Sequence, residues 1–297
     1  MKKVFSFIAL LLISVSCYSE TKEVRLETEE PNYFHFLSKL TLPEKLELCG
    51  ERIPLEIPEV RERAEREFYL LLQQPGQIIL YLKRSGRFFP MFERLIKEYN
   101  LPDDIKYLSV AESALYQARS PKDAVGLWQF IEGTARAYGL RVDKDVDERR
   151  HPEKSTQAAM KYLERAYKRF GSWIVAFASY NMGVEGVANN INFQGTDNYF
   201  ELFLNEETSR YIFRIAIIKE IMQNPEKYGF HIPAWERYKP ERTKKIKETS
   251  SIPNLADWAK ANRTTYKDVK ILNPWILGRS LPAPKPGEVW IIEIPDK

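Results

Sequence analysis

The sequence has very few of the residues that build metal sites and disulfide frameworks. It contains two cysteines and three histidines in 297 residues. Two cysteines allow one bond, between Cys17 and Cys49, but no disulfide framework. The histidines are His35, His151 and His231, and they lack the close spacing of metal ligands. We therefore expect each histidine to be a surface or structural residue, and the sequence predicts no metal site.

An excess of charge of one sign is also missing. The chain has 45 basic and 41 acidic residues, for a formal net charge of +4. Proteins that bind nucleic acid neutralise many phosphates with clustered basic residues, so this balance predicts no nucleic-acid partner. A mildly basic surface still suits an anionic polymer or an anionic membrane. The apolar fraction of 44% supports a real core, and the length suggests one domain of ordinary size plus a smaller one.

No apolar run has the length of ~20 residues that a transmembrane helix needs. An apolar run near the N-terminus, Val4 to Val15, follows two lysines and precedes small residues, a pattern typical of a secretory signal. Cys17 follows this run and resembles the lipidated cysteine of a bacterial lipoprotein, although Ser14 stands where leucine is usual. Cleavage after Ser16 or Ser19 would instead release a soluble protein. We expect a signal over residues 1–19, with lipidation at Cys17.

Composition divides the rest of the chain into four parts. Residues 20–58 are charged and punctuated by proline, which predicts a tether with short irregular elements. Residues 59–225 carry apolar residues at helical spacing, which predicts a helical domain. Residues 226–245 are charged and contain proline, which is typical of a linker. Residues 246–297 have strand-like ends around two short helical patterns, which predicts a small α+β module.

Glycine and hydroxyl residues predict where individual helices begin and end. Gly86 is expected to interrupt a helix. Ser155 or Thr156 is expected to cap the start of another helix, which Gly171 would end in a left-handed conformation. Ser172 is expected to cap the helix that follows.

One carboxylate stands on an otherwise apolar helical face. Ile105, Leu108, Glu112 and Leu115 are spaced by three, four and three residues, which places them on one side of a helix. Burial on such a face favours the neutral acid form of a glutamate. A general acid that works near neutral pH needs that environment. The same spacing also fits a surface glutamate whose aliphatic stem contacts the core.

Four short motifs follow one another in the helical part: Glu112–Ser113, Gly126–Leu127–Trp128–Gln129, Tyr180–Asn181 with Gly183, and Glu207–Thr208–Ser209–Arg210–Tyr211. Each is weak alone, but their order and spacing resemble the lytic murein transglycosylases of the soluble-type class, family 1. The last motif resembles the ETxxY element of the subgroup typified by membrane-bound lytic murein transglycosylase D. The resemblance covers roughly residues 60–225.

The resemblance implies a mainly α, lysozyme-like catalytic domain and a lyase reaction on peptidoglycan glycan strands. Glu112 would protonate the oxygen between N-acetylmuramic acid (MurNAc) and N-acetylglucosamine (GlcNAc). It would then act as base on the muramic C6 hydroxyl, which attacks C1 and leaves a 1,6-anhydro sugar. A nucleophile within the same sugar makes a second carboxylate unnecessary. The resemblance implies neither a metal nor an organic cofactor.

The resemblance also implies roles for residues near this glutamate. Ser113 would orient a sugar substituent or the loop beside Glu112. Tyr180 would form a hydrogen bond near Glu112 and help to hold it. Trp128 is expected to pack in the core rather than stack on a sugar. The sugar itself would be bound by Gln129 and Asn181 through their amides, and Glu207 would contact Glu112 or a sugar from the cleft wall.

Residues 246–297 resemble a LysM module, a βααβ unit that binds glycans containing GlcNAc. The likeness rests on Leu272–Asn273–Pro274 and on the piece that runs from Lys285–Pro286–Gly287 to Ile294–Pro295. The usual opening Gly-Asp-Thr is replaced by Glu248–Thr249–Ser250. Two roles therefore stay open, namely glycan binding and packing on the catalytic domain alone.

Two other functions fit parts of the same pattern. One is a catalytically silent peptidoglycan-binding or scaffold protein, against which the presence of Glu112 argues. The other is a hydrolytic muramidase, which needs a second carboxylate; Glu132, Asp143 and Asp145 are candidates. In each case we expect the protein in the cell envelope, on the periplasmic side of a membrane as a lipoprotein, or else secreted or periplasmic.

Overall fold

The computed structural model describes residues 33–296 of the chain. The signal predicted for residues 1–19 and the lipidation of Cys17 lie outside the described residues. Helix α1 (Tyr33–Leu37) belongs to an N-terminal unit that ends at Leu40, and a second unit begins at Thr41. Within residues 33–296, no helix is both long enough and apolar enough to span a membrane.

The second unit begins with a hairpin of two short strands, β1 (Leu46–Leu48) and β2 (Glu51–Ile53). Cys49 and Gly50 join them with φ angles of 54° and 79°, as expected for a two-residue hairpin turn. The Glu51 carboxylate accepts hydrogen bonds from a hydroxyl and backbone amides at residues 172–174. This hairpin lies within the segment predicted as a tether with short irregular elements. The sequence did not predict its strands, because strands of three residues are too short to produce a visible alternation.

Eight helices of the described residues make up the helical part, and the predicted mainly α fold is confirmed. Helix α4 is almost wholly buried, and α9 packs against α2, α4 and α7. In chain order the helices are α2 (Pro58–Leu72), α3 (Pro75–Glu98), α4 (Ile105–Ser113), α5 (Glu132–Ala137), α6 (Pro152–Phe170), α7 (Trp173–Met182), α8 (Val184–Gln194) and α9 (Glu206–Gln223).

The break predicted at Gly86 is wrong, because α3 runs through it without interruption. A Cβ atom at this position would lie 2.7 Å from the carbonyl oxygen of Tyr238 and 2.8 Å from Cβ of Arg237. The linker residues therefore pack directly on the backbone of α3. Glycine here permits close approach of another segment rather than a turn.

The predicted cap at the start of α6 is also wrong. The predicted end of α6 at Gly171 and the predicted cap of α7 at Ser172 are confirmed. Helix α6 begins at Pro152 after His151, and the hydroxyls of Ser155 and Thr156 donate to carbonyls of the preceding turn. Proline at the first position already fixes a helical φ angle, so the helix begins one turn earlier. Gly171 has a φ of 71°, and Ser172 Oγ accepts from the amide of Val175 at 3.2 Å.

The C-terminal module has the predicted βααβ order. Strands β3 (Thr243–Glu248) and β4 (Trp290–Pro295) pair in antiparallel fashion. Between them lie α10 (Leu255–Ala261) and α11 (Tyr266–Leu272). Asn273 is buried, and its side chain exchanges two hydrogen bonds with the backbone of Glu293, at 2.7 and 2.9 Å. This asparagine therefore ties the end of α11 to β4.

Candidate active site

A cleft of about 950 Å³ opens where α4, α7, α9 and the loop of residues 118–131 meet. Five of the six residues predicted for catalysis or glycan binding line it, and Ser113 lies buried behind it. The lining includes Glu112, Gln129, Tyr180, Asn181, Glu207 and Tyr211. Helices that are distant in sequence thus bring the predicted residues together.

Glu112 lies in the last turn of α4 and is half-buried. Burial raises the pKa of Glu112 from its ordinary value of 4.5 to about 7. A hydrogen bond from Tyr211 and the positive charge of Arg214 act in the opposite direction. Burial is the largest of these causes, and it favours the protonated form of the glutamate near neutral pH. This is the environment that the apolar helical face predicted.

Tyr211 is a cleft residue that the sequence analysis placed in a motif but to which it assigned no role. Its hydroxyl donates a hydrogen bond to Oε1 of Glu112. Burial, together with the charge of Glu112, raises the pKa of Tyr211 well above its usual value, so the hydroxyl keeps its proton. The sequence did hold a signal for Tyr211. It lies four residues after Glu207, a predicted cleft residue, and therefore on the same face of α9.

The Tyr180 hydroxyl forms its hydrogen bond with the loop beside Glu112 and not with Glu112 itself. Its hydroxyl donates to the carbonyl of Trp128 at 2.7 Å, and its ring packs edge-on against Phe130 and Tyr162. A buried hydroxyl needs a partner, and the loop carbonyl supplies it. Burial and the charge of Glu112 raise the pKa of Tyr180. Tyr180 therefore holds the loop beside the glutamate, whereas Tyr211 holds the glutamate.

Ser113 and Trp128 also fix this loop. The Ser113 hydroxyl donates to the carbonyls of Leu127 at 2.8 Å and Ser109 at 3.1 Å, so the structure supports the loop role over the sugar role. Trp128 is fully buried and donates through Nε1 to Oγ1 of Thr156 at 2.8 Å. The prediction that Trp128 packs in the core is confirmed.

Gln129 sits at a tight point of the same loop. It has a φ of 48°, and Gly126 has a φ of 88°. Gln129 Nε2 donates to the carbonyls of Gly126 at 2.8 Å and Ala118 at 3.2 Å. The amide nitrogen thus closes the loop on itself, and the side chain lines the cleft.

Asn181 and Glu207 form a polar pair on the opposite wall. Asn181 Nδ2 donates to Glu207 Oε1 at 3.1 Å, and its Oδ1 accepts from Thr208 at 2.8 Å. Lys122 Nζ lies 3.3 Å from Glu207 Oε2. The hydrogen bond from Asn181, with that from Lys122, lowers the pKa of Glu207. The cleft therefore holds an ionised carboxylate and a protonatable one in different environments.

The carboxylates that the sequence offered for hydrolysis lie elsewhere. Glu132 and Asp143 line a separate cavity of about 440 Å³, and Asp145 lines neither cavity. The cleft is lined instead by Glu67, Glu206 and Glu207 beside Glu112. Within the described residues, no group of three or more His, Cys, Asp or Glu side chains is arranged to hold a metal ion.

Two family models match this chain. Residues 90–203 match the transglycosylase SLT domain. Residues 244–297 match the soluble lytic transglycosylase C-terminal LysM-like domain. The first match contains the Glu112, Gln129 and Asn181 regions, and the second contains the βααβ module.

Relatives with similar sequences are partial matches. Membrane-bound lytic murein transglycosylase D from two Escherichia coli strains is 26% identical over 249 residues, which is 82% of this chain and 54% of the relative. A putative tributyltin chloride resistance protein from Alteromonas is 33% identical over 105 residues, which is 34% of this chain and 51% of the relative. The chain spans about half the length of the curated relatives it matches.

A solved structure, an inactive mutant of lytic transglycosylase Slt from Pseudomonas aeruginosa, is 23% identical to this chain. The alignment covers 51% of this chain and 26% of that chain, with a TM-score of 0.39.

Proposed function

We propose that this chain, which carries a transglycosylase SLT domain and a LysM-like domain, is a peptidoglycan lytic transglycosylase. It cleaves the β-1,4 bond between MurNAc and GlcNAc without water and leaves a 1,6-anhydromuramic end. The observation that carries this proposal is Glu112, a half-buried carboxylate with a pKa of about 7 that accepts a hydrogen bond from Tyr211 inside a cleft.

Glu112 acts first as an acid and then as a base. Protonated Glu112 gives its proton to the glycosidic oxygen, and the bond from that oxygen to C1 of muramic acid breaks. The C6 hydroxyl of the same sugar then attacks C1, and the Glu112 carboxylate takes the proton that this hydroxyl loses. A C1–O6 bond forms, the proton returns to Glu112, and no water is consumed. A pKa near 7 suits both steps at neutral pH.

The cleft favours this internal attack over hydrolysis. The C6 hydroxyl belongs to the same sugar and is already close to C1. The reaction therefore avoids the entropy cost of ordering a water molecule. The other carboxylates that line the cleft already have partners. Glu207 contacts Asn181 and Lys122, Glu67 pairs with Arg210, and Glu206 pairs with Arg66 and Arg210. The mechanism needs no second carboxylate and leaves these ion pairs intact.

The remaining cleft residues bind or position the glycan. Gln129 and Asn181 present amides to the sugar, Glu207 contributes an ionised wall, and Ser113 with Tyr180 keeps the loop in place. The protein acts at the cell envelope, where peptidoglycan lies, attached through Cys17 as its sequence predicts. Mass spectrometry of released glycans tests the reaction itself, because an anhydro end is lighter than a hydrolysed end by one water.

Tyr211→Phe is expected to lower kcat about tenfold and to move the alkaline limb of the pH profile upward. In the parent enzyme, kcat/KM falls as pH rises through about 7, because Glu112 then loses the proton that it must donate. The Tyr211 hydrogen bond lowers the pKa of Glu112, so its removal raises that pKa further. A pH series of initial rates measures the limb in both proteins.

A purely structural role for Tyr211 would give a different result. The rate would fall at every pH while the alkaline limb stayed at the parent's value. Tyr199→Phe is a matched control, since this buried hydroxyl donates to the carbonyl of Thr208 and does not line the cleft. We expect the control to keep the parent's pH limb.

A further inference from the structure

We propose that the LysM-like module holds the active-site loop in position through a segment of the catalytic domain that contacts both the module and the loop. This bridging segment is residues 141–151. The effect on turnover rests on the proposed lytic function, whereas the effect on the loop does not. The module would therefore be a structural part of the catalytic site and not only a glycan-binding attachment.

The backbone of the bridging segment pairs with the module. Val146 and Ile276 form an antiparallel bridge. The amide of Asp147 donates to the carbonyl of Trp275 at 2.9 Å, and the amide of Leu277 donates to the carbonyl of Asp145 at 2.9 Å. Pairing of this kind fixes the register of both segments, as in a sheet. A flexibly tethered module would not share backbone hydrogen bonds with its neighbour.

Side chains extend this contact into the core of the module. Val146 is fully buried and belongs to the same apolar cluster as Trp275, Ile276 and Trp290. The His151 ring stacks on Trp275 with centroids 5.8 Å apart, and the guanidinium of Arg141 lies 5.1 Å from the centre of the Trp290 ring. A catalytic-domain residue thus completes the module's core, which couples the two parts energetically.

The other side of the bridging segment holds the active-site loop. Asp147 and Arg149 are each 5% exposed and form a two-pronged ion pair, with both N–O distances at 2.9 Å. Arg149 also donates to the carbonyls of Asp123 at 3.0 Å and Phe130 at 3.3 Å. These two carbonyls flank the turn that carries Gly126 and Gln129. These partners restrict the position of the buried guanidinium, because its planar fork must satisfy all of them together.

A continuous set of contacts therefore runs from the module to the cleft. The Trp275 carbonyl binds the Asp147 amide, the Asp147 carboxylate binds Arg149, and Arg149 binds both flanks of the loop. The Arg149 carbonyl also lies against Gly126, where a Cβ atom would approach it to 2.0 Å. A displacement of about 1 Å at a positioning residue is enough to slow an enzyme substantially. Loosening the module should displace the loop that carries Gln129.

Two variants of the full chain separate bracing from attachment. Trp275→Leu keeps an apolar side chain but removes the stack on His151, and Arg149→Lys keeps the charge but removes the fork that holds the loop. The matched control is Ile271→Ser, since Ile271 is a 60% exposed residue of α11. Three quantities are measured: hydrogen exchange of peptides covering residues 123–130, kcat and KM on a short soluble glycan, and sedimentation with intact sacculi.

We expect Trp275→Leu to speed exchange over residues 123–130 and to lower kcat about tenfold, with KM changed much less. Arg149→Lys should speed exchange over residues 123–130 to the same extent, while the module's own amides stay protected. Ile271→Ser should match the parent in all three measurements. If Trp275→Leu does not fold, Val146→Ala replaces it, because it trims the shared core while leaving the backbone bridge in place.

The proposal is overturned if the module variants speed exchange only within residues 243–296 and leave kcat at the parent value. Loss of sacculus binding in the same variants would then assign the module to glycan attachment. Unchanged loop exchange in Arg149→Lys would refute the path through Arg149. A parent chain that cleaves no peptidoglycan would contradict the proposed function, while the exchange data would still decide whether the module braces the loop.

Discussion

Glu112→Gln is expected to reduce peptidoglycan turnover by about 10³-fold or more, because general acid–base catalysis by one residue is worth about 10² to 10⁴ and Glu112 serves in both steps. Glutamine has nearly the same shape but neither gives nor takes the proton. The Tyr211 hydroxyl can still donate to the amide oxygen, so the cleft should keep its structure. Binding to sacculi, measured by sedimentation, should therefore stay within about twofold of the parent.

The matched control for this variant is Glu132→Gln, which makes the same chemical change outside the cleft. We expect the control to turn over peptidoglycan at the parent rate. A Glu112→Gln enzyme that kept a tenth or more of the parent rate would contradict the assignment of Glu112 as acid and base. Loss of sacculus binding in the same variant would point instead to a disturbed cleft.

The same substitution should raise stability above neutral pH. The pKa of Glu112 is about 7 in the folded chain and 4.5 ordinarily. The folded state therefore holds this proton more tightly, and stability falls as pH rises from 4.5 through 7. Glutamine does not titrate and has no such loss. The free energy of unfolding of Glu112→Gln, relative to the parent, should therefore be higher at pH 8 than at pH 4 by up to about 3 kcal/mol. An equal Tm difference at the two pH values would mean that Glu112 is not desolvated.

Gly126→Ala is the second substitution with a large expected effect. Gly126 has a φ of 88°, and a Cβ atom here would lie 2.0 Å from the carbonyl oxygen of Arg149. Alanine must therefore adopt a left-handed conformation and push away a backbone carbonyl. We expect the free energy of unfolding to fall by about 3 kcal/mol or more. Thermal unfolding followed by circular dichroism measures this loss.

We expect Gly126→Ala to lower the rate of catalysis as well, because the side-chain amide of Gln129 donates to the Gly126 carbonyl and closes the loop. The control is Gly133→Ala, at an exposed position in α5 where a Cβ atom meets nothing within 4 Å. Alanine favours a helix over glycine by up to about 1 kcal/mol, so this control should be neutral or slightly stabilising. Equal Tm values for the two alanine variants would contradict the close packing of Gly126 against Arg149.

The parts of this molecule that sequence reasoning predicted are those with a local signal. The spacing of Ile105, Leu108 and Glu112 predicted a carboxylate on an apolar face, and burial does raise its pKa. The end of α6 at Gly171 and the start of α7 at Ser172 followed from their local chemistry. The order of the βααβ module likewise followed from short patterns that each lie within one element.

The parts that could not be predicted depend on contacts between distant residues. Tyr180 and Tyr211 both lie beside Glu112, and only the packing of α7 and α9 around α4 decides which hydroxyl meets the carboxylate. The prediction that Gly86 breaks a helix failed because the residue that packs against it, Tyr238, lies far along the chain. The bridge from Val146 to Ile276 joins residues 130 positions apart, and no periodic pattern reports such a pairing.

The most direct test of the proposed reaction is mass spectrometry of the glycans that the full chain releases from purified peptidoglycan in oxygen-18-labelled water. Internal attack by the C6 hydroxyl predicts anhydro ends that carry no label, and none of these products with Glu112→Gln. Hydrated reducing ends that carry the label would contradict the account. Water would then be the nucleophile, and Glu207 would be the first carboxylate to examine as its base.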